Sequence, residues 1–114
     1  MKAYKGYESG EIEEILAFNE NSLRKLLADS IASLESDYFC FGLKRNKKDF
    51  VEIHPVGKSQ FIVRSDRICK SGSFWQRLSQ SGTIEKTVGS EAEVLSILST
   101  YMHHTREEFE SKYT

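Results

Sequence analysis

The sequence predicts an α+β fold in which a four-stranded antiparallel sheet carries N- and C-terminal helices on one face. Two patterns indicate this class: apolar residues recur at helical spacing near both ends of the chain, and they alternate with period two in the middle. With 39% hydrophobic and 29% charged residues, the chain of 114 residues can bury one core. We therefore expect a single domain over residues 1–114.

The first elements predicted along the chain are two helices. Ile12, Ile15 and Leu16 form a short apolar stripe, and a longer stripe begins after the Asn-Glu-Asn at 19–21. Asparagine is a poor residue inside a helix and a good N-cap, so this segment predicts a break between two helices. The longer stripe places five residues on one helical face: Leu23, Leu26, Leu27, Ile31 and Leu34.

Beyond Ser36 the hydrophobic period changes to two, which predicts a meander of three strands. The first strand alternates through Phe39, Phe41 and Leu43, the second covers 50–54 and ends at Pro55, and the third covers 60–64. Residues 68–82 are expected to form a loop with a short helix. A fourth strand is predicted at 83–88.

The turn at 57–59 sets the register between the second and third strands. A three-residue turn places Glu52 opposite Arg64 and His54 opposite Ile62, whereas a two-residue turn would place His54 opposite Phe61. We expect the three-residue turn, because it keeps Glu52 out of the core and gives it a cross-strand charge partner.

Two further helices are predicted at the C-terminus, each beginning with a capping box. Ser90 with Glu93 begins the first, and Thr105 with Glu108 begins the second. His103 and His104 then lie at the end of the first helix. Adjacent helical residues point about 100° apart, so these two side chains cannot easily aim at one ion. We expect them to form a helix end and to bind no metal.

The composition of the chain limits the class of protein and the cellular compartment that we expect. The N-terminal residues lack the apolar run of a signal peptide, and no stretch approaches the roughly 20 apolar residues of a membrane span. Cys40 and Cys69 lie far apart without a CxxC pattern, which argues against a disulfide framework or a zinc finger. We expect a cytoplasmic protein with reduced thiols, no membrane association, no cofactor and no metal site.

Charge is divided unevenly along the chain. The net charge of −1 comes from −3 over residues 1–36, +5 over 37–88 and −3 over 89–114. The plainer interpretation is that acidic helices and basic strands are solvated faces of a mixed domain. The alternative is a surface that binds an anionic partner.

One sheet face is left without a predicted covering. If the helices cover the alternating core residues from Phe39 to Val63, the opposite residues form what we call the second face. Its members are half apolar and half ionisable, which is unusual both for a solvated face and for a buried one. They are Tyr38, Cys40, Phe50, Glu52, His54, Ile62 and Arg64.

Three functions could use the second face. A non-enzymatic protein-interaction domain, either a homodimer or a partner-binding module of the adaptor, chaperone or inhibitor kind, fits its apolar half and is the function we expect. Nucleic-acid binding is an alternative, although the pI near 6.3 is low for it. Its candidate residues are Lys44, Arg45, Lys47, Lys48, Arg64, Arg67 and Lys70.

The third alternative is a small-molecule or enzyme site. A proton-transferring pair of His54 and Glu52, with Cys40 and Tyr38 beside it, would be its basis. The sequence contains no glycine-rich phosphate loop and no HExxH or GxSxG motif, so we expect no enzymatic activity.

Overall fold

The computed structural model describes residues 1–7, 9–15, 17–32, 38–57, 59–66 and 83–112, except for the side chains of Tyr38, Phe39 and Thr83. It confirms an α+β fold with an antiparallel sheet, but within these residues the sheet has six strands rather than four. The strands are β1 (Lys2–Tyr7), β2 (Ile12–Ile15), β3 (Tyr38–Lys44), β4 (Phe50–Gly57), β5 (Gln60–Asp66) and β6 (Thr83–Val88). The described helices are α1 (Glu20–Ala32), α2 (Glu91–His103) and α3 (Arg106–Lys112).

The first predicted helix was wrong, because its segment forms the strand β2, and β1 is a further strand that the sequence analysis did not predict. β1 and β2 form an antiparallel hairpin, and β1 lies between β2 and β3 in the strand order β2-β1-β3-β4-β5-β6. Gly10 makes the turn with φ of +90°, a conformation that favours glycine, and its N–H donates to the Tyr7 carbonyl oxygen. Ile12 and Ile15 are three residues apart, a spacing that favours one face of a helix and places them on opposite faces of a strand. Pairing with β1 therefore overrides the local pattern in this segment.

The second predicted helix is confirmed as α1. The Asn19 side-chain oxygen accepts the backbone N–H of Ser22 at 2.9 Å, as expected of an N-cap. Leu23, Leu26 and Leu27 are buried, and the predicted stripe member Leu34 lies outside the described residues.

The predicted register of the meander is also confirmed. Glu52 lies opposite Arg64 and His54 lies opposite Ile62 across β4 and β5. The prediction that Pro55 ends the second strand was wrong, since β4 continues to Gly57 through a register shift between Pro55 and Gly57. A bulge there accommodates the missing proline N–H without ending the pairing.

The hydrophobic core lies between the sheet and the helices. Six of the predicted inward residues are buried there, namely Phe41, Leu43, Val51, Ile53, Phe61 and Val63, and they share one cluster with helix residues. The helices contribute Leu23, Leu26, Leu27, Val94, Ile97, Leu98, Tyr101 and Phe109. Burying each large side chain contributes about 1.5–3 kcal/mol relative to leaving it in water. The second face is therefore the side of the sheet opposite this core.

The N-caps of both C-terminal helices form as the sequence predicts. Ser90 Oγ accepts the Glu93 N–H at 3.1 Å, and Thr105 Oγ1 accepts the Glu108 N–H at 3.2 Å. α2 ends at His103, and the N–H of the C-cap residue His104 donates to the Thr100 carbonyl. The helix-end position of the two histidines is thus confirmed, and their lack of metal binding stays a prediction. The predicted loop at 68–82 lies outside the described residues.

Candidate functional site

Three of the predicted site residues converge on the second face. Cys40 Sγ, a carboxylate oxygen of Glu52 and a ring nitrogen of His54 all lie within 4.8 Å of one another. The closest pair is His54 Nε2 and Glu52 Oε2, which are 3.0 Å apart. We call these three side chains the Cys-Glu-His cluster.

Strand register brings the Cys-Glu-His cluster together. Glu52 and His54 are two residues apart on β4, so their side chains leave the same face of the sheet. Phe41 pairs with Ile53 across β3 and β4, and the same register carried one residue further sets Cys40 opposite His54. The sulfur therefore approaches the imidazole from the neighbouring strand.

A glycine beside the Cys-Glu-His cluster admits a fourth residue, Tyr4 of β1. Tyr4 pairs with Gly42, and Gly42 pairs with Glu52, so the tyrosine reaches across β3. A Cβ built on Gly42 would lie 3.0 Å from the Tyr4 hydroxyl and would overlap the Val51 carbonyl oxygen. The hydroxyl hydrogen-bonds to the Glu52 carboxylate, and the Tyr4 residue is only 3% exposed.

Hydrogen bonds and burial set the protonation of these groups. The hydrogen bond from His54 lowers the pKa of the Glu52 carboxyl, burial opposes this, and the Tyr4 hydrogen bond lowers the pKa further. Burial raises the pKa of the Cys40 thiol to about 12, with the Glu52 charge acting in the same direction. At neutral pH the site therefore contains a carboxylate and an un-ionised thiol, which is a poor nucleophile.

The other predicted members of the second face lie around the Cys-Glu-His cluster. Phe50 and Ile62 are half-buried. The Arg64 side chain is 53% exposed, and its Nε lies 3.9 Å from Glu85 Oε2. The Tyr38 side chain is outside the described part of the chain.

Sequence reasoning missed Tyr4, Ile12 and Lys44 as members of the second face. They line, with Phe50 and Glu52, a shallow cavity of about 170 Å³. The Lys44 ammonium is 2.7 Å from Glu14 Oε1 and 5.5 Å from the centre of the Tyr4 ring. Residues 3–7 do not alternate between apolar and polar side chains, so no local signal in the sequence identifies the strand that carries Tyr4.

Some of the basic residues proposed to meet nucleic acid have intramolecular partners. Arg45 Nη2 donates to the carbonyl oxygens of Tyr101 and His104 at 2.8 and 2.9 Å. Its guanidinium carbon lies 4.5 Å from the centre of the Tyr101 ring. Lys47 and Lys48 are exposed, whereas Arg67 and Lys70 lie outside the described residues. Lys44 and Arg45 thus stabilise the fold through contacts within the chain.

No protein-family model matches the sequence, and comparisons with curated proteins and with solved structures find no significant match. Within the described ranges, none of the helices combines the length and the apolar character that crossing a membrane requires.

Proposed function

We propose that this chain is a non-enzymatic interaction domain that pairs with a second copy of itself through the second face. The supporting observation is the apolar surface on that face. Ile12 is 60% exposed at the edge strand β2, and the half-buried Phe50 and Ile62 lie on the same side of the sheet. The described helices pack against the opposite side, so none of them covers these side chains.

Charge favours a second copy over a highly charged partner. The second face carries Lys44 and Arg64 together with Glu52 and Glu85, and the whole chain has a net charge of −1. A two-fold axis can set a basic group of one copy against an acidic group of the other without net repulsion. A nucleic acid would require an excess of positive charge instead.

The size of the second face sets the expected affinity. Six strands about 4.8 Å apart and about six residues long offer roughly 600 Å² in plan. This area is below the roughly 800 Å² per partner of a standard stable interface. We therefore expect a reversible dimer with a dissociation constant in the micromolar range, not a permanent one.

The decisive experiment places two lysines in the apolar part of the second face. Sedimentation equilibrium of the wild-type chain is expected to show a concentration-dependent dimer, and Phe50→Lys with Ile62→Lys is expected to be monomeric with an unchanged circular dichroism spectrum. The control, Ala92→Lys with Ser96→Lys, adds the same charge at exposed positions of α2 and should still dimerise.

A single substitution at an exposed position tests the proposal even if the double variant unfolds. Ile12→Lys changes an exposed side chain, so it should fold normally and dimerise more weakly. A wild-type chain that stays monomeric at tens of micromolar would refute the proposal, and so would a folded Phe50→Lys, Ile62→Lys variant that dimerises like the wild type.

A further inference from the structure

We propose that the Cys-Glu-His cluster binds one divalent transition-metal ion, and the chemistry of its donors points to zinc. The cluster offers one sulfur, one imidazole nitrogen and one carboxylate oxygen, all within 4.8 Å of one another. These are the three ligand types that zinc takes in proteins, and the thiolate disfavours magnesium and calcium. The inference goes beyond the interaction function and departs from the sequence-based expectation of no metal.

The distances are close to those that a tetrahedral ion requires. Zinc bonds of about 2.0–2.3 Å place neighbouring ligand atoms roughly 3.3–3.7 Å apart. His54 Nε2 and Glu52 Oε2, now 3.0 Å apart, would separate slightly, and the sulfur would approach from at most 4.8 Å. Shifts of about 1 Å are within the reach of side-chain rotation, so β3 and β4 can keep their register.

β1 supplies the outer contacts that metal ligands commonly have. The Tyr4 hydroxyl donates to the Glu52 carboxylate, and the Gly6 backbone N–H donates to the Cys40 sulfur. Such second contacts orient a carboxylate, and the Gly6 hydrogen bond partly opposes the effect of burial on the Cys40 thiol. The cluster therefore already has hydrogen bonds that hold two of its three ligands in place.

The burial of its three side chains indicates that one side of the Cys-Glu-His cluster is open to solvent. Cys40 is 2% exposed, whereas the side chains of Glu52 and His54 are 26% and 21% exposed. Three protein ligands with a solvent-facing side leave the fourth position to water. On binding, the Cys40 S–H bond breaks and its proton passes to solvent as the sulfur–metal bond forms. The proton that His54 Nε2 donates to Glu52 must also leave Nε2, either to solvent from an imidazolium or by a shift to the Nδ1 tautomer of the neutral ring. Nε2 and the Glu52 carboxylate can then each bond to the metal.

Cobalt(II) is the probe, because it replaces zinc and reports the sulfur ligand by absorption. Metal-free Cys69→Ser protein, whose one remaining thiol is Cys40, should bind one cobalt with a thiolate-to-cobalt band in the near ultraviolet. Zinc should abolish that band by displacement. Because a dimer would cover the second face, the titration is run on the monomer, well below the micromolar range expected for dimerisation, so that its outcome is separate from that of the proposed function.

Variants assign the ligands. Cys40→Ser should abolish the band, and Glu52→Gln and His54→Ala, at half-buried positions, should each weaken cobalt binding at least tenfold. Tyr4→Phe should weaken it about 10–100-fold through the lost outer hydrogen bond. The matched control, His103→Ala with His104→Ala, should bind like the parent. Absence of the band at millimolar cobalt would overturn the proposal, as would unchanged binding by folded Glu52→Gln and His54→Ala.

Discussion

At the scale of single residues, Gly42 is a position of the second face that has no room for a larger side chain. Its Cβ would overlap the carbonyl oxygen of Val51 on the neighbouring strand, and a backbone atom cannot move aside as a flexible side chain can. We expect Gly42→Ala to lower the free energy of unfolding by about 1–3 kcal/mol, as overpacking typically does. Urea denaturation followed by circular dichroism measures this loss.

Gly89→Ala is the matched control for that substitution. A Cβ at Gly89 meets no atom within 4 Å. Replacing glycine by alanine at such a site usually stabilises by about 0.4–1 kcal/mol, because the unfolded chain loses freedom. Similar losses at both positions would contradict the close-contact explanation.

The second face could be predicted from sequence only in part. Alternation alone placed Cys40, Glu52 and His54 on one side of the sheet, and the predicted partners of Glu52 and His54 were correct. The predicted three-residue turn at 57–59 was wrong, because Gly57 pairs with Gln60 and a register shift between Pro55 and Gly57 produces the same partners. The approach of the Cys40 sulfur depends on the β3–β4 register, which no local pattern determined. Tyr4 was missed because its strand is recognisable only when β1 pairs with β3.

At the scale of elements, helices with local signals were predictable and the hairpin was not. The capping boxes at Ser90 and Thr105 act over three residues, so the sequence alone locates the starts of α2 and α3. The segment Ile12–Ile15 carries a three-residue apolar spacing that favours a helix. Its strand conformation depends on the long-range pairing of β2 with β1, which sequence spacing does not contain.

α3 is held to the sheet by a buried ion cluster. It has only seven residues, too few for a stable isolated helix. Arg106, 8% exposed, has its Nη1 3.3 Å from Asp49 Oδ1 and its Nε 3.1 Å from Glu110 Oε2. Nη1 also donates to Ser65 Oγ on β5 at 2.8 Å.

Removing this arginine should therefore detach α3. Arg106→Ala removes the buried cation beside two buried carboxylates, of which Asp49 keeps its 3.6 Å ion pair with Arg45. We expect a loss of about 3 kcal/mol in the free energy of unfolding. Arg64→Ala is the control, since its pair with Glu85 is more than half exposed and should contribute less than about 1 kcal/mol. Urea denaturation of both variants tests the difference, and equal losses would show that Arg106 does not anchor the helix.

At the scale of the whole molecule, the fold brings charges from different chain segments together. Glu14 of the acidic N-terminal segment lies 2.7 Å from Lys44 of the basic middle segment. Arg106 of the acidic C-terminal segment pairs with Asp49 of the middle. Part of the uneven charge along the sequence is thus balanced within the chain. This supports the interpretation that the charge pattern reflects the solvated faces of a mixed domain and not a binding surface for an anionic partner.

Tyr101 joins the helical layer to the sheet, and its ionisation is expected to lower the stability of the fold at alkaline pH. It is fully buried, and its hydroxyl donates to the Asp49 carbonyl and carboxylate oxygens at 2.8 and 2.9 Å. Burial, followed by the hydrogen bond to Asp49, raises the pKa of Tyr101 above its ordinary 10.0. A group with a raised folded pKa stabilises fully below the unfolded pKa, and this contribution is lost as pH rises through the folded value.

Tyr101→Phe tests this coupling, since it removes the titrating group and keeps the ring. Near neutral pH the variant should be less stable by about 1 kcal/mol, the usual net value of one hydrogen bond. Above pH 10 the wild type should lose up to about 1.4 kcal/mol more per pH unit than the variant, because each unit of pKa difference contributes that amount. The difference between the two denaturation curves, measured from pH 7 to 11, reports the Tyr101 hydroxyl together with its charge coupling to Tyr4. Parallel pH profiles would mean that the hydroxyl ionises without cost, contrary to its burial between α2 and the sheet.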